Sequence, residues 1–148
     1  MSPNEVGTLL LVEDNPDDIV LFRRACEKEC IASGLVRVAE DGEEALSYLE
    51  GRDRYADRVQ YPLPSLMVLD LKLPGKSGVE VLVWIRNDPR CKDLPVIVLT
   101  SSTEPGDLTR TRELGIVAYH LKSVDFEGLI EIVKSINSYW KTHPIYRL

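Results

Sequence analysis

Thr8-Leu9-Leu10-Leu11-Val12-Glu13-Asp14-Asn15-Pro16-Asp17-Asp18 is the stretch that decides the fold class. Its apolar run is short and unbroken and ends in acid, the pattern of a strand buried on both faces. Asn15 then carries the side chain of a helix N-cap, and Pro16 suits the first helical position. Asp17 and Asp18 put negative charge in the first turn, where the helix dipole favours it. Ile19, Phe22, Cys26 and Cys30 lie close to one face of that helix.

The same alternation recurs along the chain. Leu35 to Ala39, Leu66 to Leu71, Pro95 to Thr100 and Ile116 to Leu121 read as four further strands. Pro95 falls at a strand start, where its missing N–H is tolerated. Helix signals begin at Asp41-Gly42, after Gly78 and, more weakly, after Pro105. A last helix starts at Asp125 with Phe126, Leu129, Ile130, Val133, Ile136 and Trp140 at helical spacing. Five alternations predict an α/β protein: a doubly wound, five-stranded parallel sheet with helices on both faces. The one long connection, Gly51 to Pro64, is rich in charge, tyrosine and proline.

Composition narrows the function classes. The chain has 148 residues, enough for one domain with a real core, and 44% of them are apolar. The formal charge of −6 disfavours nucleic acid as a partner. Met1-Ser2-Pro3-Asn4-Glu5 does not read as a signal peptide, and no apolar run approaches a membrane span, so no membrane partner is expected. Three cysteines without a secretion signal point to a reducing cytoplasm. Cys26 and Cys30 are four apart, as half a metal site would be, but His120 and His143 join them at no recognisable spacing. Ordinary helix-face cysteines are the plainer reading.

In sheets of this kind ligands bind beyond the carboxyl ends of the strands. Glu13 and Asp14 follow strand one, Asp70 ends strand three, Thr100 and Ser101 end strand four, and Lys122 follows strand five. Alone, each has a bland explanation: a solvated loop, a helix cap, a turn, a surface charge. Together they occupy the same end of their strands. Clustered carboxylates repel unless a cation intervenes. Mg²⁺ suits such an open set, with Asp14 and Asp70 as direct ligands, Glu13 acting through water and the Lys72 backbone carbonyl adding an oxygen. A carboxylate can also act as a nucleophile towards phosphorus. Asp70 is the candidate, with Lys122 as a movable point charge and Thr100 as a hydroxyl donor on the phosphoryl oxygens.

Leu10-Leu11-Val12-Glu13-Asp14-Asn15, Val68-Leu69-Asp70-Leu71-Lys72-Leu73-Pro74-Gly75-Lys76-Ser77-Gly78, Val98-Leu99-Thr100-Ser101 and Tyr119-His120-Leu121-Lys122 resemble the signature of receiver domains of two-component response regulators. The resemblance covers about residues 8–140 and implies a single receiver domain over 1–148 with short terminal tails. It implies the flavodoxin-like strand order 2-1-3-4-5. It also implies that Asp70 is phosphorylated from a phosphohistidine on a sensor histidine kinase, and that Glu13, Asp14, Asp70 and the Lys72 carbonyl hold Mg²⁺. Thr100, Ser101 and Lys122 would serve the phosphoryl group, and Tyr119 would change rotamer on activation. Tyr119 can equally be read as a structural aromatic in an edge strand.

Within the family, the chain is similar to stand-alone regulators, signalling proteins rather than enzymes. The Gly51–Pro64 connection, Lys122-Ser123 and Ser138-Tyr139-Trp140 are similar to small regulators paired with phytochrome-type histidine kinases. The connection by itself also reads as an idle insertion. Ser123 departs from the family's usual proline, leaving the Lys122–Ser123 bond to be either strained cis or relaxed trans.

Two rival activities fit less well. A haloacid dehalogenase-type phosphatase needs a second aspartate where Lys72 stands, and a flavodoxin-type flavin site needs a hydroxyl- and glycine-rich loop where Glu13-Asp14 stand. A degenerate receiver used only as a scaffold is disfavoured by the intact Asp70 and Lys122. Finally, Ile132, Ile136 and Tyr139 widen the apolar arc of the last helix to roughly 180°, against the ~100° that a one-sided helix needs. The expectation is a homodimer through that helix; fraying, with the tail covering the edge, is the alternative.

Overall fold

A computed structural model of the chain describes residues 7–143. The expected terminal tails lie, for residues 1–6 and 144–148, outside the described residues. The elements alternate as β1 (Leu9–Val12), α1 (Pro16–Lys28), β2 (Val36–Ala39), α2 (Gly42–Glu50), β3 (Leu66–Leu69), α3 (Gly78–Asn87), β4 (Val96–Thr100), α4 (Pro105–Glu113), β5 (Ala118–Leu121) and α5 (Phe126–Thr142). All strand pairs are parallel and their order is β2-β1-β3-β4-β5, as expected. Short 3₁₀ turns at Ser33–Leu35 and Asp53–Ala56 were not anticipated.

The strands sort their side chains by a period of two. Leu10, Val12, Met67, Leu69, Val96 and Val98 face α2 and α3; Leu9, Leu11, Leu66, Val68, Ile97 and Leu99 face α1 and α5. The inner strands β1, β3 and β4 are wholly buried, which is why they read as continuous apolar runs. Edge strand β5 is only half-buried.

Side chains close the helix starts. Asn15 accepts from the Asp17 and Asp18 amides at 2.9 and 3.2 Å. Asp41 accepts from Glu44 at 2.7 Å and Asp125 from Gly128 at 2.7 Å. Such a cap contributes about 1 kcal/mol.

Register brings the strand ends level. Leu69 pairs with Val12 and with Val98, and Thr100 pairs with Leu121. The Asp70 amide donates to the Val12 carbonyl at 3.1 Å, and the Lys122 amide donates to the Thr100 carbonyl at 2.8 Å. Gly78 packs beneath this rim: a Cβ there would strike the Asp70 carbonyl oxygen and sit 2.6 Å from Leu71 Cα. The Asp70–Gly78 loop can fold back onto α3 only because that side chain is missing.

The 51–64 connection packs on α2. Tyr55 packs at a tilt against Tyr48 at 4.9 Å and meets Tyr61 edge-on at 5.0 Å. Arg58 donates to the Tyr48 and Leu49 carbonyls at 2.8 and 2.9 Å, closing the end of α2, where Gly51 takes a left-handed φ of 73°. Cys26, Cys30 and Cys91 are free thiols, and burial pushes Cys26 up to about 12, so it behaves as an apolar core residue.

One expectation needs correction. Ile136 is 1% exposed and packs into the core between sheet and α5, so it offers nothing to a partner. Ile132 and Tyr139 remain half-buried at the margin of that core.

Candidate functional site

The level strand ends gather the expected residues into one crevice. Glu13 and Asp70 are both 3% exposed and Thr100 is fully buried, whereas Asp14 faces solvent. Glu13, Asp14 and Asp70 each offer a carboxylate oxygen within 4.8 Å of the others. Among the described residues, this is the one group of acids, histidines or cysteines arranged to hold a metal. The donor set fits a hard divalent cation: all oxygen, strongly anionic, and open on the Asp14 side to water and phosphate. Lys72 follows on the same rim, its amide donating to Asp70 Oδ1 at 3.0 Å.

Asp70 is gripped on both oxygens. Thr100 Oγ1 donates to its Oδ1 at 2.8 Å, and Lys122 Nζ donates to its Oδ2 at 2.9 Å. Lys122 also reaches Glu13 Oε1 and Asp18 Oδ2, both at 2.8 Å. No described peptide bond is cis, so Lys122 makes these contacts with a trans bond to Ser123. Ser101 is exposed beside the crevice.

The electrostatics follow from burial and pairing. Burial pushes the Glu13 carboxyl upward, with a smaller push from the Asp70 charge; hydrogen bonds from Lys122 and the Asn15 amide oppose it. Burial pulls Lys122 downward, but its hydrogen bonds to Asp18, Glu13 and Asp70 outweigh that and hold the ammonium above its ordinary range. The crevice therefore keeps a positive charge beside the buried Asp70 carboxylate. That arrangement can accept a group whose oxygens carry negative charge.

Sequence reasoning missed two participants. Asp18 reads as a first-turn helix acid, and nothing in its spacing announces a contact with a lysine 104 residues away. Ser102 is 1% exposed; its amide donates to Thr100 Oγ1 at 3.2 Å and its carbonyl accepts from the Tyr119 hydroxyl at 3.1 Å. The run Thr100-Ser101-Ser102 hides which serine turns inward. Strand alternation after β4 is the signal that could have shown it.

Comparison with known proteins adds the family context. Residues 9–134 match the model of the response regulator receiver domain. The response regulator Rcp1 of Synechocystis sp. is 35% identical over 137 residues, covering 93% of this chain and 90% of that one. The solved structure of the phosphorylated cyanobacterial phytochrome response regulator RcpA is 37% identical, with a TM-score of 0.80 over 90% of this chain and 93% of that one. The Mn²⁺-bound form of Rcp1 superposes with a TM-score of 0.82 at 33% identity, covering 95% and 99% of the two chains.

Proposed function

The chain belongs to the response regulator receiver family, and from that premise we propose that it is a signalling switch phosphorylated on Asp70 by a sensor histidine kinase. The observation that carries this reading is the grip on Asp70: a buried carboxylate held by Thr100 and Lys122 and flanked by Glu13 and Asp14.

In the transfer, an Asp70 carboxylate oxygen bonds to phosphorus as the donor's N–P bond breaks and its electron pair returns to the imidazole. An acyl phosphate results. The Thr100 hydroxyl and the Lys122 ammonium donate to the phosphoryl oxygens, and Ser101 stands beside them. The Thr100 hydroxyl, 2.8 Å from Asp70 Oδ1, is near enough to turn from the carboxylate to the phosphoryl group. Asp14, Asp70, the Lys72 carbonyl and, through water, Glu13 are the residues we assign to Mg²⁺. That cation supplies charge neutralisation among the acids and on the phosphoryl oxygens. Tyr119 is the side chain we expect to move on activation.

A phytochrome-type kinase is the partner favoured by the resemblance to RcpA, itself a phytochrome response regulator. A cytoplasmic site of action belongs to the same reading, supported by three free thiols. No helix of the described residues is long and apolar enough to cross a membrane. We also assign homodimerisation to α5, with Ile132 and Tyr139 as its contact residues.

Incubation with Mg²⁺ and acetyl phosphate, or with a phosphorylated kinase domain, tests the central assignment. The parent should be labelled and Asp70→Asn should not. Undiminished labelling of Asp70→Asn would move the phosphoacceptor elsewhere.

A further inference from the structure

A lysine ammonium has three N–H donors, and each of those on Lys122 faces a carboxylate: Glu13 and Asp18 at 2.8 Å and Asp70 at 2.9 Å. Glu13 and Asp70 belong to the acidic cluster; Asp18 does not. It sits in the first turn of α1, where its own amide is fixed by the Asn15 cap at 3.2 Å. Its position is therefore set by the helix start and not by the lysine it holds. Lys122 and Asp18 also line a cavity of about 120 Å³ between α1 and α5, so the pair has room to part or tighten without displacing the core.

Two physical effects follow, and they act in the same direction. A phosphoryl oxygen arriving on Asp70 can take over the N–H that Lys122 gives Asp70, but it gains a second only if Glu13 or Asp18 gives way. The Asp18 charge also repels the incoming phosphoryl charge across a short, half-buried space. We infer that Asp18 is a positioning residue that restrains Lys122, competing with the phosphoryl group for its ammonium and so limiting how tightly the phosphorylated state is held. This inference rests on the reading of Asp70 as phosphoacceptor.

The test is calorimetric titration of beryllofluoride, a phosphoryl mimic, into the Mg²⁺-saturated parent and into Asp18→Asn, Asp18→Ala and Asp18→Glu. Asp18 has a side chain 36% exposed, so solvent screening keeps the expected gain modest. Asp18→Asn and Asp18→Ala should bind the mimic roughly two- to fivefold more tightly, and Asp18→Glu should return towards the parental value. The gain should shrink as salt is raised, because it comes from charge, whereas urea midpoints of the same variants read any change in helix stability. Unchanged or weaker binding in both Asp18→Asn and Asp18→Ala overturns the inference. A parent that takes up no beryllofluoride overturns the reading of Asp70 itself, and the inference with it.

Discussion

The Tyr119 hydroxyl donates to the Ser102 carbonyl at 3.1 Å, and that bond is the outer end of a chain that begins at Asp70. The Ser102 amide donates to Thr100 Oγ1 at 3.2 Å, and Thr100 Oγ1 donates to Asp70 Oδ1 at 2.8 Å. On the proposed function, a phosphoryl group that draws in the Thr100 hydroxyl would disturb the acceptor of Ser102's amide, and through Ser102 the anchor of Tyr119. Tyr119→Phe deletes the outer bond alone. It should lower stability by about 0.5–1.5 kcal/mol while leaving Asp70 labelling intact. Urea midpoints and a labelling assay on the same preparation check both halves; lost labelling would put Tyr119 in the transfer chemistry itself.

The acidic pair after β1 is proposed to divide its labour, and metal titration reads the division. Glu13 is occupied by Lys122 at 2.8 Å and by the Asn15 amide at 3.1 Å, whereas Asp14 faces solvent. Removing a direct anionic ligand costs an octahedral cation more than removing a water-mediated one. Asp14→Ala should therefore weaken Mg²⁺ binding more than Glu13→Ala. The opposite ranking would exchange their roles.

The parts of the fold and site that could be read from the sequence are those governed by local chemistry or by strand order. Buried strands announce themselves as apolar runs, Asn15 and Asp125 as caps, and the carboxyl-end rule collects Glu13, Asp14, Asp70, Thr100 and Lys122 once the topology is known. What escaped depends on direction in three dimensions. Asp18 looks like a helix-dipole residue because its partner, Lys122, arrives from just beyond β5. Arg58 looks like a loop charge because the carbonyls it closes belong to α2. Ile136 looks like surplus apolar surface because a helical wheel cannot show how deeply α5 sinks against the sheet.

His120 gives the fold a pH dependence with a definite sign. Burial holds its imidazole below the ordinary value of about 6.5, and its Nε2 is buried without a hydrogen-bond partner among the described residues. The folded state prefers the neutral ring. Above the unfolded pKa both states are neutral and the group adds no pH dependence. As pH falls below it, the unfolded chain takes up a proton that the folded chain declines, and stability drops until the folded pKa is passed. Urea melts at pH 7.5 and 5.5 should show this loss in the parent and a smaller one in His120→Gln. His143, the other histidine, is exposed and serves as the control position. Equal losses in parent and His120→Gln would assign the dependence to carboxylates.

The proposed dimer rests on what α5 and β5 leave uncovered. Ile132 and Tyr139 are half-buried beside the core, with Tyr139 stacked on His143 at 3.9 Å. Leu121 on β5 is 50% exposed and Val117 just before it is 38% exposed. Apolar side chains left partly exposed on both the last helix and the edge strand have the character of a partner surface. Ile136 is excluded from it by burial, which shifts the expected contact towards Ile132 and Tyr139. Because Ile132 also touches the core, Ile132→Glu costs some stability of its own, and Tyr139→Arg supplies a second variant at the rim. Sedimentation at micromolar concentration, with and without beryllofluoride, should show a dimer in the parent and a monomer in either variant. A parent that stays monomeric in both conditions removes the dimer, and a dimer indifferent to both substitutions places its interface on another face.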